Sequence, residues 1–222
     1  MQLSKKELET IGKTPLFVNL SLQEREAALS FFRAYRQEYE KGAFLHTVGT
    51  PLYSFGLVLS GTVRIFMDDL HKEPMLMANR TVGDMFGESL SYLCTPDSPV
   101  YIVAAEPASV LWLSTEALRA PLAAKDEKSF LFYSRFMAVL AERTLAMNSR
   151  IQVLSKTTLR LRLLTFLSQC AEESGSKTFQ IPFDRAALAS YLGANRAALS
   201  RELSAMKREG ILDFYKSSFR LL

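Results

Sequence analysis

The sequence predicts an α+β chain in three parts: an N-terminal antiparallel β-roll, one long helix, and a small C-terminal helical module closed by a hairpin. Three observations carry this expectation. Between Tyr39 and Leu113, apolar runs of about five residues alternate with turn residues roughly every 8–12 positions, the texture of a short-stranded antiparallel sheet. From about Asp126 to Leu154 the apolar residues keep a helical spacing. From Asp184 to Gly210 two short helical patterns meet at a single glycine. The expected boundaries are residues 1–125 for the roll with its N-terminal helices, 126–155 for the long helix and 156–222 for the C-terminal module.

Composition narrows the function classes. The 222 residues are 48% apolar and 23% charged, which fits a globular chain and excludes collagen-like or disordered sequence. Charged residues Lys5, Lys6, Glu7, Glu9, Glu24, Arg25 and Glu26 interrupt the first thirty positions, so no secretory signal is expected and the expected location is cytoplasmic. No apolar stretch approaches the ~20 residues that span a bilayer, so no membrane partner is expected. Two distant cysteines, Cys94 and Cys170, make no CxxC pair. Only two histidines are present, His46 and His71. No metal site and no nucleophile–histidine pair is expected from so few, and the chain is not expected to be an enzyme. The net charge of +4 is unevenly placed. Residues 1–154 carry 16 Lys and Arg against 17 Asp and Glu, whereas residues 155–222 carry 11 against 6. The basic excess therefore sits in the last third, as in a polyanion-binding module.

Along the chain, Ser21-Leu22-Gln23-Glu24 reads as a capping box opening a helix that runs to about Tyr35. Strands follow around Ala43–Leu45, Phe55–Leu59, Thr62–Phe66, Pro74–Ala78, Val100–Ala104 and Ser109–Leu113, with turns such as Ser60-Gly61, Asp68-Asp69 and Gly83-Asp84 between them. Val63, Ile65 and Met67 alternate with Thr62, Arg64 and Phe66, as a half-buried strand requires. Ser114 is a candidate cap for a short helix from Leu118 to Leu122. In the long helix, Tyr133, Met137, Leu140, Thr144, Met147, Ile151 and Leu154 recur at alternating spacings of four and three. That is an a/d seam, and it predicts that two copies of the helix pair into a homodimer. Ser155-Lys156-Thr157-Thr158 reads as a hinge, followed by a helix with Leu159, Leu163, Leu164 and Leu167 on one face and Ser174-Gly175-Ser176 at its end.

The segment Asp184–Leu203 has the spacing of a helix-turn-helix. Gly193 supplies the positive φ of the turn, Ala189 is the small residue where the helices touch, and Leu188, Leu192, Leu199 and Leu203 form the shared core. Asn195 caps the second helix, which presents Arg196, Ser200 and Arg201 outward. Arginine there suits the O6 and N7 acceptors of guanine in the major groove of double-stranded DNA. Lys207, Arg208 and Lys216 suit phosphates. Ile211–Leu221 reads as a two-stranded wing.

A roll, a long dimer helix and a winged helix in this order resemble the CRP/FNR family of bacterial transcription regulators. The residues that carry the resemblance are Leu59-Ser60-Gly61-Thr62-Val63, Gly83-Asp84-Met85-Phe86-Gly87-Glu88 and Val110–Ser114 in the roll. In the C-terminal module they are Leu192-Gly193, Asn195-Arg196, Leu199-Ser200-Arg201-Glu202-Leu203 and Glu209-Gly210-Ile211-Leu212. The resemblance implies an inverted-repeat operator, an effector sensed by the roll, and RNA polymerase as a further partner. In cyclic-nucleotide members a Gly-Glu pair is followed by Arg-Ser or Arg-Thr, where the arginine neutralises the cyclic phosphate. Here Gly87-Glu88 is present, but the second pair falls at Ser98-Pro99, and the purine-reading pair of the dimer helix falls at Arg143-Thr144. Without the arginine, and without an N–H on Pro99, cAMP is not the expected effector. The recognition helix has Ala197 where the family usually has an acidic residue; alanine can contact a thymine methyl but cannot accept from cytosine N4. No cysteine precedes Cys94, so the family's N-terminal iron–sulfur cluster is not expected. No cofactor is predicted. A haem stays open on His46, His71, Met85 or Cys94, Cys94 is also a candidate redox thiol, and Cys170 is expected in the core. The rival readings are a cyclic-nucleotide-binding or haem-binding sensor module without DNA activity, and a cupin-type enzyme, which would need clustered His and Glu ligands.

Overall fold

The computed structural model describes residues 3–67, 75–120, 127–181 and 183–222. The Asp68-Asp69 turn, His71, Pro74, Leu122 and Asp126 lie outside the described residues. The chain divides into two compact units, Met1–Ala141 and Glu142–Leu222, and the division falls inside one long helix, α5 (Glu127–Leu154).

The first unit opens with α1 (Lys5–Lys13) and α2 (Leu22–Phe31), each entered through a capping box. In α2 the Ser21 hydroxyl accepts from the Glu24 N–H, and the Glu24 carboxylate accepts from the Ser21 N–H at 2.7 Å. This helix ends at Phe31, short of the expected Tyr35, because Arg33 takes a left-handed φ of 44° and Tyr35 already belongs to a strand. Then come β1 (Tyr35–Tyr39), β2 (Phe44–His46), β3 (Ser54–Ser60), β4 (Val63–Met67), β5 (Met75–Arg80), β6 (Met85–Phe86), α3 (Glu88–Leu93), β7 (Val100–Ala104), β8 (Ala108–Ser114) and α4 (Glu116–Arg119). They form two four-stranded antiparallel sheets, β1-β8-β3-β6 and β2-β7-β4-β5. The expected alternation in β4 holds for buried Val63 and exposed Arg64, then breaks. A bulge against β5 falls between Ile65 and Phe66, and Phe66 is drawn onto Tyr101, ring on ring at 5.1 Å. At α4 the cap position is Thr115 rather than Ser114, although the Ser114 hydroxyl still accepts from the Glu116 N–H at 3.2 Å.

Inside the roll Val58, Val63, Phe86, Ile102, Val110 and Trp112 pack into one cluster. Phe86 and Trp112 meet edge to face at 5.5 Å, and the Trp112 indole N–H donates to the Tyr39 hydroxyl at 2.9 Å. A second cluster joins α1 and α2 to β3, β8 and α5 through Phe17, Phe32, Phe55, Leu111 and Phe136. In this part of α5 the fully buried stripe is Phe132, Phe136 and Val139. The expected seam residues Tyr133, Met137 and Leu140 lie one position further round the helix and are half-buried beside it.

The second unit contains the end of α5, then α6 (Leu159–Ser174), β9 (Thr178–Gln180), α7 (Arg185–Tyr191), α8 (Arg196–Arg208), β10 (Leu212–Tyr215) and β11 (Ser218–Leu221). Leu163 and Leu167 are buried, Leu159 and Leu164 pack at the edge of the same core, and Gly175 ends α6 with a left-handed φ of 63°. Val153 of α5 is fully buried in that core. At the turn read as a hinge, the Ser155 N–H donates to the Ile151 carbonyl at 2.8 Å, and Arg162 Nε donates to the Lys156 carbonyl at 2.9 Å. The expected hairpin of Ile211–Leu221 is present as β10 paired with β11, and β9 joins it on the β11 side to give the order β10-β11-β9.

Candidate nucleic-acid interface and sensor pocket

The helix-turn-helix is built as its residue types dictate. The Asp184 carboxylate caps α7 by accepting from the Ala187 N–H at 2.7 Å, and the Asn195 side-chain oxygen caps α8 by accepting from the Ala198 N–H at 2.8 Å. Between them Gly193 takes a φ of 63°, a region costly for a residue with a Cβ. Leu188, Ala189, Leu192, Leu199, Leu203 and Met206 are all buried, so one face of α8 is spent on the core. The opposite face presents Ala197, Arg201, Ser204 and Arg208, all exposed. A shallow groove of about 690 Å³ runs along it, lined by Ser200, Arg201, Ser204 and Arg208 among others. Arg196 lies roughly a third of a turn round the helix from this face. With Arg185, Lys216 and Ser217 it lines a cleft of about 590 Å³ between the starts of α7 and α8 and the wing turn. Of the expected phosphate contacts, Arg208 and Lys216 are exposed, while Lys207 is held in an ion pair with Asp213 at 2.5 Å.

Sequence reasoning did not assign a role to Arg160 of α6 or to Arg185 of α7. Arg160 Nε donates to Glu202 at 2.5 Å, and its two terminal nitrogens grip the Glu209 carboxylate at 2.7 and 2.8 Å. These contacts raise the guanidinium's pKa and hold the Glu209 carboxyl below the usual carboxylate range. They bind α6 to the middle and end of α8, and they give Glu202 and Glu209 a structural purpose within the runs Ser-Arg-Glu-Leu and Glu-Gly-Ile-Leu. Arg185 lies over the rings of Phe214 and Phe219, and donates to the Lys216 carbonyl at 3.0 Å. Burial lowers its pKa.

In the first unit, Gly87 is the left-handed residue before α3, and Glu88 is the first residue of that helix, only 7% exposed. Ser98 is fully buried, with its hydroxyl at 3.4 Å from the Val100 carbonyl and its own carbonyl accepting from the Gly49 N–H at 2.9 Å. Arg143 and Thr144 belong to the second unit, Arg143 half-buried and Thr144 exposed. Beyond them on α5, Leu145, Met147, Ile151 and Leu154 are exposed apolar residues, Met147 by 64% and Ile151 by 58%. His46 is buried on β2, its Nε2 has no hydrogen-bond partner, and burial holds its pKa below the ordinary value. Met85 is buried on β6, and Cys94 closes α3 with its thiol donating to the Ser91 carbonyl at 3.2 Å. Among the described residues no three His, Cys, Asp or Glu gather as a metal site. Cys170 packs at the edge of the second unit's core, and burial pushes its thiol up to about 11. Among the described residues no helix is long and apolar enough to cross a membrane.

Comparison with known proteins agrees with this geometry. Residues 36–125 match the cyclic nucleotide-binding domain and residues 161–222 the Crp-like helix-turn-helix domain. The chain is 30% identical over 204 residues to the cyclic AMP receptor protein of Thermus thermophilus, covering 90% of this chain and 88% of that protein. It is 25% identical over 209 residues to the probable transcriptional regulator flp of Lacticaseibacillus casei, covering 94% and 91%. The crystal structure of the Thermus thermophilus catabolite activator protein superposes with a TM-score of 0.53 at 27% identity over 94% of each chain. Fold and matched domains together define a DNA-binding transcription regulator with a sensor domain of the cyclic-nucleotide-binding type, not an enzyme. The chain belongs to the CRP/FNR family.

Proposed function

We propose that this regulator acts in the cytoplasm as a homodimer that reads an inverted repeat in the major groove and answers to an effector other than a cyclic nucleotide. The observation that carries the DNA reading is the division of α8: Leu199, Leu203 and Met206 are buried, while Arg201, Ser204 and Arg208 stand exposed on the far side. Arg196, Ser200 and Arg201 read base edges, Ala197 touches a thymine methyl, and Arg208, Lys216 and Lys207, once released from Asp213, hold phosphates. Two such helices bind half-sites about 34 Å apart. Selection of duplexes from a random pool by the purified protein, followed by footprinting, tests this reading; a symmetric repeat is expected, and no enrichment overturns it.

The exposed apolar residues Met147, Ile151 and Leu154, continuing the spacing of Tyr133, Met137, Leu140 and Thr144, support pairing along α5. Ile151→Glu is expected to shift the protein toward a monomer in sedimentation and to weaken operator binding; an unchanged dimer places the interface elsewhere.

One observation supports an effector that is not a cyclic nucleotide. Counted without gaps from Gly87-Glu88, the phosphate-binding pair falls at Ser98-Pro99, which offers no cation and, at Pro99, no N–H. The relative named cyclic AMP receptor protein favours the opposite reading, in which the roll, through Gly87 and Glu88, holds a nucleotide. Calorimetric titration with cAMP and cGMP decides between them: no heat of binding is expected, and micromolar binding overturns the proposal. RNA polymerase is the further partner this reading carries.

A further inference from the structure

We propose that Arg162 is a positioning residue for DNA reading: it clamps the α7–α8 turn to the end of α5, and so fixes the angle at which α8 is presented. The inference rests on the reading of α8 as the DNA-reading helix.

Arg162 lies on α6, half-buried, and its hydrogen-bond partners are the Lys156 and Leu192 carbonyls, neither of them on α8. Its Nε donates to the Lys156 carbonyl at 2.9 Å, two residues past the end of α5. Its NH1 donates to the Leu192 carbonyl at 3.2 Å. Leu192 caps the end of α7, where carbonyls lack helical partners and a cation is favoured by the helix dipole. The guanidinium sits directly against the turn, for a Cβ on Gly193 would stand 3.4 Å from NH1. The Leu154 side chain approaches the same point, at 3.7 Å. One planar group thus bridges the turn after α5 and the turn before α8 through two backbone carbonyls. A fork of fixed geometry is needed for this, which an ammonium does not supply. Arg160 holds the middle and end of α8 through Glu202 and Glu209, so α6 grips both the turn that precedes the helix and the helix itself.

The test uses the full-length protein and the duplex that the wild type selects from a random pool. Arg162→Met keeps the apolar stem and removes both donors; Arg162→Lys keeps one charge and one donor site. Amide exchange of Gly193 and Ala194, whose N–H groups close the turn onto Ser190 and Ala189, is expected to speed up in Arg162→Met while Leu203 exchanges as before. Affinity for the selected duplex is expected to fall about tenfold, the order of a lost charged hydrogen bond, with Arg162→Lys in between. The log–log salt slope should not change, because no phosphate contact is lost. A slope reduced by about one, with equal loss on random duplex, overturns the proposal and makes Arg162 a phosphate contact. Wild-type affinity and wild-type turn exchange in Arg162→Met overturn it as well. A wild type that selects no duplex overturns the DNA reading itself, and the proposal with it, whatever the exchange rates show.

Discussion

At the scale of single residues the proposed reading of DNA rests on a few exposed side chains of α8. Arg201 stands at the centre of its outward face, four residues beyond Ala197. Arg201→Ala is expected to cost roughly 1–3 kcal/mol of operator binding and to relax preference at one base pair, read by repeating the duplex selection; an unchanged preference removes the assignment. In the roll, buried His46 offers a pH-dependent property. Burial lowers its folded pKa, while the unfolded chain returns it to near 6.5, so the unfolded state takes up more protons between the two values. Its stabilising contribution is complete above about pH 6.5 and is lost as the pH falls through the folded pKa. The melting temperature should fall more steeply below pH 6.5 in the wild type than in His46→Gln; parallel curves would assign the acid sensitivity to other groups. The exposed candidates on α8 were legible in sequence because helical periodicity alone separates them from Leu199 and Leu203. Arg160 and Arg162 were not, because their partners lie 42 and 30 positions away, and only the folded chain brings them together.

At the scale of elements, legibility followed length and capping chemistry. The strands of the roll announce themselves through β-branched and aromatic runs between turns. α8 is announced by Asn195 and by thirteen residues of clean amphipathic pattern. The signal for α1 was present in Ser4 and Glu7, the same box as at Ser21, but few apolar positions follow it. α3 has six residues and enters through Gly87, which has no side chain to cap with, so nothing local marks it. β9 has three residues and exists through its pairing with β11, nearly forty positions on. The turn between α7 and α8 allows a direct test of backbone chemistry. Gly193→Ala forces a Cβ into a left-handed φ and within 3.4 Å of Arg162, and is expected to cost about 1–2 kcal/mol in denaturant unfolding. Gly193→Asn should cost less, since asparagine tolerates that region; equal losses would make the contact, not the dihedral, the cause.

At the scale of the molecule, the chain holds separate cores in its two units, and the second unit's core begins before α6. Val153 contributes a fully buried side chain to it. A fragment beginning at Glu142 should therefore be more stable than one beginning at Lys156, by at least the roughly 1.5–3 kcal/mol of burying such a side chain. Chemical denaturation of the two fragments checks this, and equal midpoints would show that α5 adds nothing to that core.

The roll contains one more constraint, at the cross-strand pair Gly56 and Phe86. A Cβ on residue 56 would lie 2.1 Å from the tip of the Phe86 ring, so a side chain there requires the ring to move off its place against Trp112. Wherever a homologous chain carries a larger side chain at the position of Gly56, a smaller one should replace the phenylalanine across from it, so that the two positions change as a pair.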